Sequence, residues 1–247
     1  MALFTDGSIS TIEELLGYES AILDVAKTEG IDLTKKLALA QEELSVELEA
    51  LLARQEDTRT TGNVVVTEAL HKWHTFRALG LVYRDAYNHQ LNDRYLGKWH
   101  EYDSMAEWAH KALLDTGLGM ATAPVPRAEQ PELSTTVAAG AAAASYFVSI
   151  TWVVAGAGEG APSDVTALTT ASGSVPLLNA IDPPAVGAAW NVYAGYSPTE
   201  LTLQNNAPLP ASQVWTGPAA GLRKGKPVGS GQQPDTFLRI RGVFNRG

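Results

Sequence analysis

Tyr146-Phe147-Val148-Ser149-Ile150-Thr151-Trp152-Val153-Val154 is rich in β-branched and aromatic residues, and its centre alternates between small polar and large apolar side chains. That is the period of a half-buried strand. No charged residue occurs from Leu133 to Gly158, which raises the alternative of a membrane span. Gly140, six Ser/Thr residues and the alternating centre oppose it. The stretch is therefore read as a buried strand, and no membrane contact is expected.

Downstream, Gly156-Ala157-Gly158-Glu159-Gly160 superficially resembles a phosphate-cradling turn. Such a turn needs a helix behind it to supply amide groups. Here Ala161-Pro162-Ser163 and a second strand, Val165–Thr169, follow, so a hairpin loop is expected. Further strands are predicted at Ser174–Asn179, Ala188–Tyr196, Glu200–Gln204 and Gln213–Thr216, with Gly, Pro and Asn turns between them. Short strands at this spacing indicate a small β-sandwich.

Upstream, residues 121–132 contain Pro124, Pro126 and Pro131 and read as a linker. Before it the period is helical. Ser10-Thr11 with Glu13 and Glu14 forms a capping-box signature, and one helix is expected from there to Gly30. A second opens near Asp32 and stacks Leu33, Leu37, Ala40, Leu44, Leu48, Leu51 and Leu52 on one face. Two more are predicted over about residues 65–88 and 91–114. Four amphipathic helices with short connections predict an antiparallel bundle. Trp73, Phe76, Tyr83, Tyr87, Tyr95, Trp99, Tyr102 and Trp108 crowd the last two helices, which leaves both the core and a subunit interface open for them. The expected organisation is α+β and multidomain: a bundle over 1–120, the linker, a sandwich over 133–221 and an extended basic tail over 222–247.

A length of 247 residues suits one or two domains. The chain has no cysteine, which excludes disulfides, thiolate metal sites and thiol nucleophiles. The start, MALFTDGS, lacks the basic and apolar regions of a signal peptide, so none is expected. Net charge is −9, which opposes general nucleic-acid binding. Residues 222–247 nevertheless carry six Lys/Arg against one Asp. An acidic body ending in a basic tail points to a partner of opposite sign.

Glu68-x-x-His71 and Glu107-x-x-His110 have the spacing of di-iron carboxylate bundles. At 100° per residue, the stripe Val66, Leu70, Trp73, Gly80, Tyr87 marks the buried side of the third helix, and Glu68 and His71 fall opposite it. Solvated polar residues are the preferred reading, and neither a metal nor another cofactor is expected. No Ser/His/Asp order or Walker loop appears, so no catalytic residue is assigned and no enzyme is expected.

Ser145–Val153 followed by Gly158-Glu159-Gly160-Ala161-Pro162-Ser163 resembles the last hairpin of a fibronectin type III-like module, and Trp190-Asn191-Val192-Tyr193 within 186–196 resembles a middle strand of it. The halves stand in swapped order, as in a circularly permuted fibronectin/Ig-like sandwich. Together with an acidic helical bundle, the chain resembles head-to-tail adaptor (connector) proteins of tailed bacteriophages. The resemblance implies a homo-oligomeric ring, usually of twelve subunits, at the virion neck. The ring would dock on the portal and other neck or tail proteins, and DNA would pass its channel without specific binding. The alternative is a carbohydrate- or surface-binding module, with Trp190, Trp215 and Tyr196 as stacking faces. In the tail, Leu238 and Ile240 alternate with Arg239 and Arg241, as in a strand with one apolar and one basic face. It is expected either to close its own sandwich or to reach a neighbour as an arm, with Arg223, Lys224, Lys226, Phe237, Leu238, Arg239, Ile240, Arg241 and Phe244 as the partner-binding residues.

Overall fold

The computed structural model describes residues 2–55, 57–91, 93–184 and 188–239. Five α-helices come first, and a β-rich region follows them. The chain forms two compact units, each assembled from discontinuous stretches. Residues 7–121 and 234–239 make the helical unit, and residues 2–6 and 122–233 make the β-rich unit.

In the helical unit, α1 (Ile12–Tyr18) opens on a capping box. The Thr11 hydroxyl accepts from the Glu14 amide at 3.2 Å, and the Glu14 carboxylate accepts from the Thr11 amide at 2.7 Å. The single helix expected up to Gly30 is in fact two, since Glu19 turns extended and α2 starts afresh at Ile22–Glu29. Gly17 and Ser20 are weak helix formers, and Glu19 makes outside bonds, to Lys98 at 3.1 Å and to the Tyr102 hydroxyl at 3.1 Å. Gly30 ends α2 in the left-handed conformation, φ 66°. The third helix, α3 (Leu33–Arg54), is capped by Asp32 and buries the seven-residue face that its sequence predicts.

α4 (Glu68–Gln90) and α5 (Asp93–Thr116) complete the helices. α4 is the central element, buried almost all round from Trp73 to Tyr83, not along a single stripe. Val64 and Val65 lie outside it. They join the edge of β1 (Leu118–Met120) through the Val64–Met120 bridge and a 2.9 Å bond from the Val65 amide to the Gly119 carbonyl. Of the eight aromatic residues, Trp73, Phe76, Tyr83, Tyr95 and Tyr102 are core. Tyr87 and Trp99 are half-buried, and Trp108 is 58% exposed.

In the β-rich unit, β2 (Glu132–Val137), β3 (Ala144–Val154), β4 (Gly158–Glu159), β5 (Thr166–Thr170), β6 (Ser174–Asn179), β7 (Ala189–Gly195), β8 (Thr202–Leu203), β9 (Leu209–Pro210) and β10 (Trp215–Thr216) form two sheets. One has the order β10-β6-β2; the other runs β4-β3-β7-β8, with β5 also on β3 and β9 on β7. Val148, Ile150, Trp152, Trp190, Val192, Leu178 and Trp215 bring side chains of both sheets into one core. Trp152 and Trp190 are opposed across β3 and β7.

The expected linker is part of this core. Val125 and Ala128 are buried in it, so the prolines of the segment do not make it a free spacer. Gln232 secures it, accepting from the Val125 amide and donating to the Ala123 carbonyl, both at 2.9 Å.

The tail is likewise not one free element. Residues 222–233 belong to the β-rich unit, where the Leu203 amide donates to the Lys226 carbonyl at 2.8 Å. A Cβ on Gly225 would lie 2.2 Å from the Leu203 carbonyl oxygen, so only glycine permits this approach. β11 (Thr236–Leu238) pairs antiparallel with β1, Met120 opposite Thr236 and Leu118 opposite Leu238. Thr236–Leu238 therefore meets an edge of its own chain in the helical unit rather than closing the sandwich. The reason is the unpaired β1 edge, which satisfies its backbone groups within the same molecule. By connectivity, the stretch 122–233 is an insertion between the two strands of a hairpin.

Candidate functional site

The outer face of the β3–β7 sheet pair carries an unusual concentration of buried polar groups. Strand alternation sends Val148, Ile150, Trp152, Trp190 and Val192 into the core. Their neighbours Ser149, Thr151, Asn191 and Tyr193 point the other way, yet each is at most 9% exposed. The hairpin from β3 into β4 pairs Val153 with Glu159 and brings the Glu159 carboxylate over this face. Gly156 and Gly158 turn the hairpin at positive φ. Three neutral donors converge on one carboxylate oxygen: Asn191 Nδ2 at 2.9 Å, the Tyr193 hydroxyl at 2.8 Å and the Thr151 hydroxyl all donate to Glu159 Oε1. Burial, reinforced by the Glu159 carboxylate, pushes the Tyr193 phenol well above its ordinary pKa and keeps it a donor. Asn191 is oriented in turn by Asn205, whose amide nitrogen donates to Asn191 Oδ1 at 2.9 Å.

A cleft of about 480 Å³ opens beside this group. Thr151 and Glu159 lie on one side of its lining, and the segment of Lys226, Ser230 and Gln233 supplies the rest. The arrangement is a preorganised acceptor in a polar recess, suited to binding by hydrogen bonds.

Two other cavities are internally compensated. In the helical unit, Glu19, Tyr83, Tyr95 and Lys98 line about 330 Å³, and Lys98 is held by Glu19 and by Glu101 at 3.2 Å. In the β-rich unit, Asp6, Arg127 and Asp164 line about 550 Å³. There Asp6 accepts the Leu3 and Arg127 amides, while burial raises its pKa against those bonds.

The tail residues named from sequence divide between the two units. Arg223, Lys224 and Lys226 are exposed on the β-rich unit. Phe237, Leu238 and Arg239 belong to the helical unit, and Ile240, Arg241 and Phe244 lie outside the described residues. Trp190 and Trp215 are core residues and offer no stacking face, whereas Tyr196 is 56% exposed. The two Glu-x-x-His pairs are separately occupied. Glu68 pairs with Lys72 at 3.3 Å, His71 with Glu14 at 3.1 Å, and the His110 ring stacks on Trp73 at 4.3 Å. Among the described residues no group of three His, Asp or Glu side chains is placed to hold a metal ion, and no helix is long and apolar enough to cross a membrane.

The Glu159 group escaped sequence reading because Thr151, Asn191 and Tyr193 are ordinary strand residues until register opposes them. The one available signal is Glu159 itself, the first charge after the uncharged run from Leu133. No family model matches the chain, and neither a curated protein nor a solved structure matches it.

Proposed function

We propose that this chain is a structural, non-catalytic subunit of a tailed-bacteriophage neck, a head-to-tail adaptor that forms a ring on the portal around the DNA channel. The observation that carries the reading is the joining of an acidic helical unit with a β module inserted between β1 and β11. A module inserted at a hairpin tip adds an interaction surface while the host keeps its own core. The four-helix reading takes the short α1 and α2 together as one broken helix beside α3, α4 and α5. In the β module, β3 lies between β7 and the β4/β5 side. That is the C-F-G order of an Ig-like sandwich, with β3 as strand F and β7 as strand C. It supports the permuted fibronectin-like reading.

The net negative body suits a channel lining along which DNA slides, because like charge opposes phosphate binding. Exposed Arg223, Lys224 and Lys226 are the cationic contacts toward a portal or neighbouring subunit, and the exposed Phe237 side chain on β11 remains available for such a contact. Electron microscopy of the purified chain, alone and mixed with a portal, tests the proposal. Single subunits alone and rings on the portal are expected. Stable rings in dilute solution without a partner contradict the templated assembly, and failure to bind any portal removes the adaptor role.

A further inference from the structure

We propose that the cleft beside Glu159 is a binding site for a saccharide, a neutral ring carrying several hydroxyl groups. The inference goes beyond the neck reading and stands on the cleft alone. A carboxylate offers about four acceptor positions over its two oxygens. Here all three protein donors fall on Oε1, and no described residue hydrogen-bonds Oε2. Glu159 is thereby fixed in orientation with an acceptor left over, in a residue that is only half-buried. Lys226 lines the same cleft, and among the described residues its ammonium has no ion-pair partner. Glu159, with its second oxygen unbonded among the described residues, and Lys226, with no ion-pair partner among them, thus line one recess.

The charges define what fits. A simple cation would meet Lys226, and a simple anion would meet Glu159. Hydroxyl groups both donate and accept, so a polyol can satisfy the two residues at once. Gln233 adds an amide that also donates and accepts. At Gly158 and Gly229 the space where a Cβ would stand is open, so a ligand can approach the backbone there. The volume, about 480 Å³, is in the range of small-molecule sites. No aromatic ring is among the described residues lining the cleft, so recognition is by hydrogen bonding and the affinity should be low, in the millimolar range.

The test is amide NMR of the full chain titrated to tens of millimolar with glucose, galactose, N-acetylglucosamine and, for comparison, the zwitterion glycine. At least one sugar should move the amide signals of Gly158, Gly160, Gly229 and Gly231, which line the cleft, while Gly62 and Gly97 of the helical unit stay in place. Glu159→Gln keeps an oxygen for the three donors and turns the free acceptor into a donor; Lys226→Ala removes an exposed ammonium. Each should weaken sugar binding about tenfold with the fold intact. Absence of cleft shifts with every sugar, or shifts that neither substitution weakens, would overturn the site. A stronger response to glycine than to any sugar would overturn the saccharide class.

Discussion

The imidazole of His74 and the hydroxyl of Ser10 meet at 2.9 Å in the interior of the helical unit, both side chains fully buried. The other ring nitrogen, Nε2, donates to the Leu37 carbonyl at 3.0 Å, which makes Nδ1 the acceptor and Ser10 the donor. A neutral ring thus satisfies both partners and ties the segment before α1 to α3 and α4. Burial pushes the His74 pKa down to about 4, against the opposing pull of the Leu37 carbonyl.

This pair predicts acid sensitivity. In the unfolded chain the histidine titrates near 6.5, so between that value and about 4 the unfolded state binds the extra proton. The contribution of His74 is complete above pH 6.5 and disappears as pH falls toward 4. It amounts to about 2–3 kcal/mol between pH 7 and pH 4.5. Urea unfolding at the two values, for the natural chain and for His74→Gln, measures it. An unchanged pH dependence in His74→Gln would assign the effect to other groups.

Opposition of Met120 and Thr236 predicts that the inserted module is dispensable for the helical fold. Replacing residues 122–233 by Asn-Gly recloses the β1–β11 hairpin with a short turn. The shortened chain should retain its helical circular dichroism and unfold in one transition. Loss of helix in that variant would show that the β-rich unit is needed to hold it.

The close approach at Gly225 should make Gly225→Ala destabilise the β-rich unit by about 1–3 kcal/mol, since a carbonyl oxygen must move. Gly229→Ala, where the added Cβ meets open space, serves as the control and should change little. Equal effects at both positions in denaturant unfolding would contradict the packing described.

Arg127 is held by the Pro162 carbonyl at 2.9 Å and by Asp164 at 2.5 Å, within a segment whose Val125 is core. Trypsin should therefore cut slowly after Arg127 in the native protein. Asp164→Ala should accelerate that cut several-fold, read as fragments on a gel. Immediate cleavage in the natural chain would restore the picture of an open linker.

Elements whose evidence is local are legible in the amino-acid order. The Thr11–Glu14 box, the Asp32 cap, Gly30, the buried face of α3 and strand β6 follow from spacing and turn chemistry within a few residues. Long-range packing set the rest. It broke the first helix where Glu19 bonds Lys98 and Tyr102, and it buried Val125 in a segment whose prolines read as a spacer. It also gave β11 the β1 edge as partner and placed Thr151, Asn191 and Tyr193 around Glu159. Periodicity fixes which face of an element is apolar; which edge a strand pairs with, and which polar groups become buried together, depend on register between residues distant in the chain.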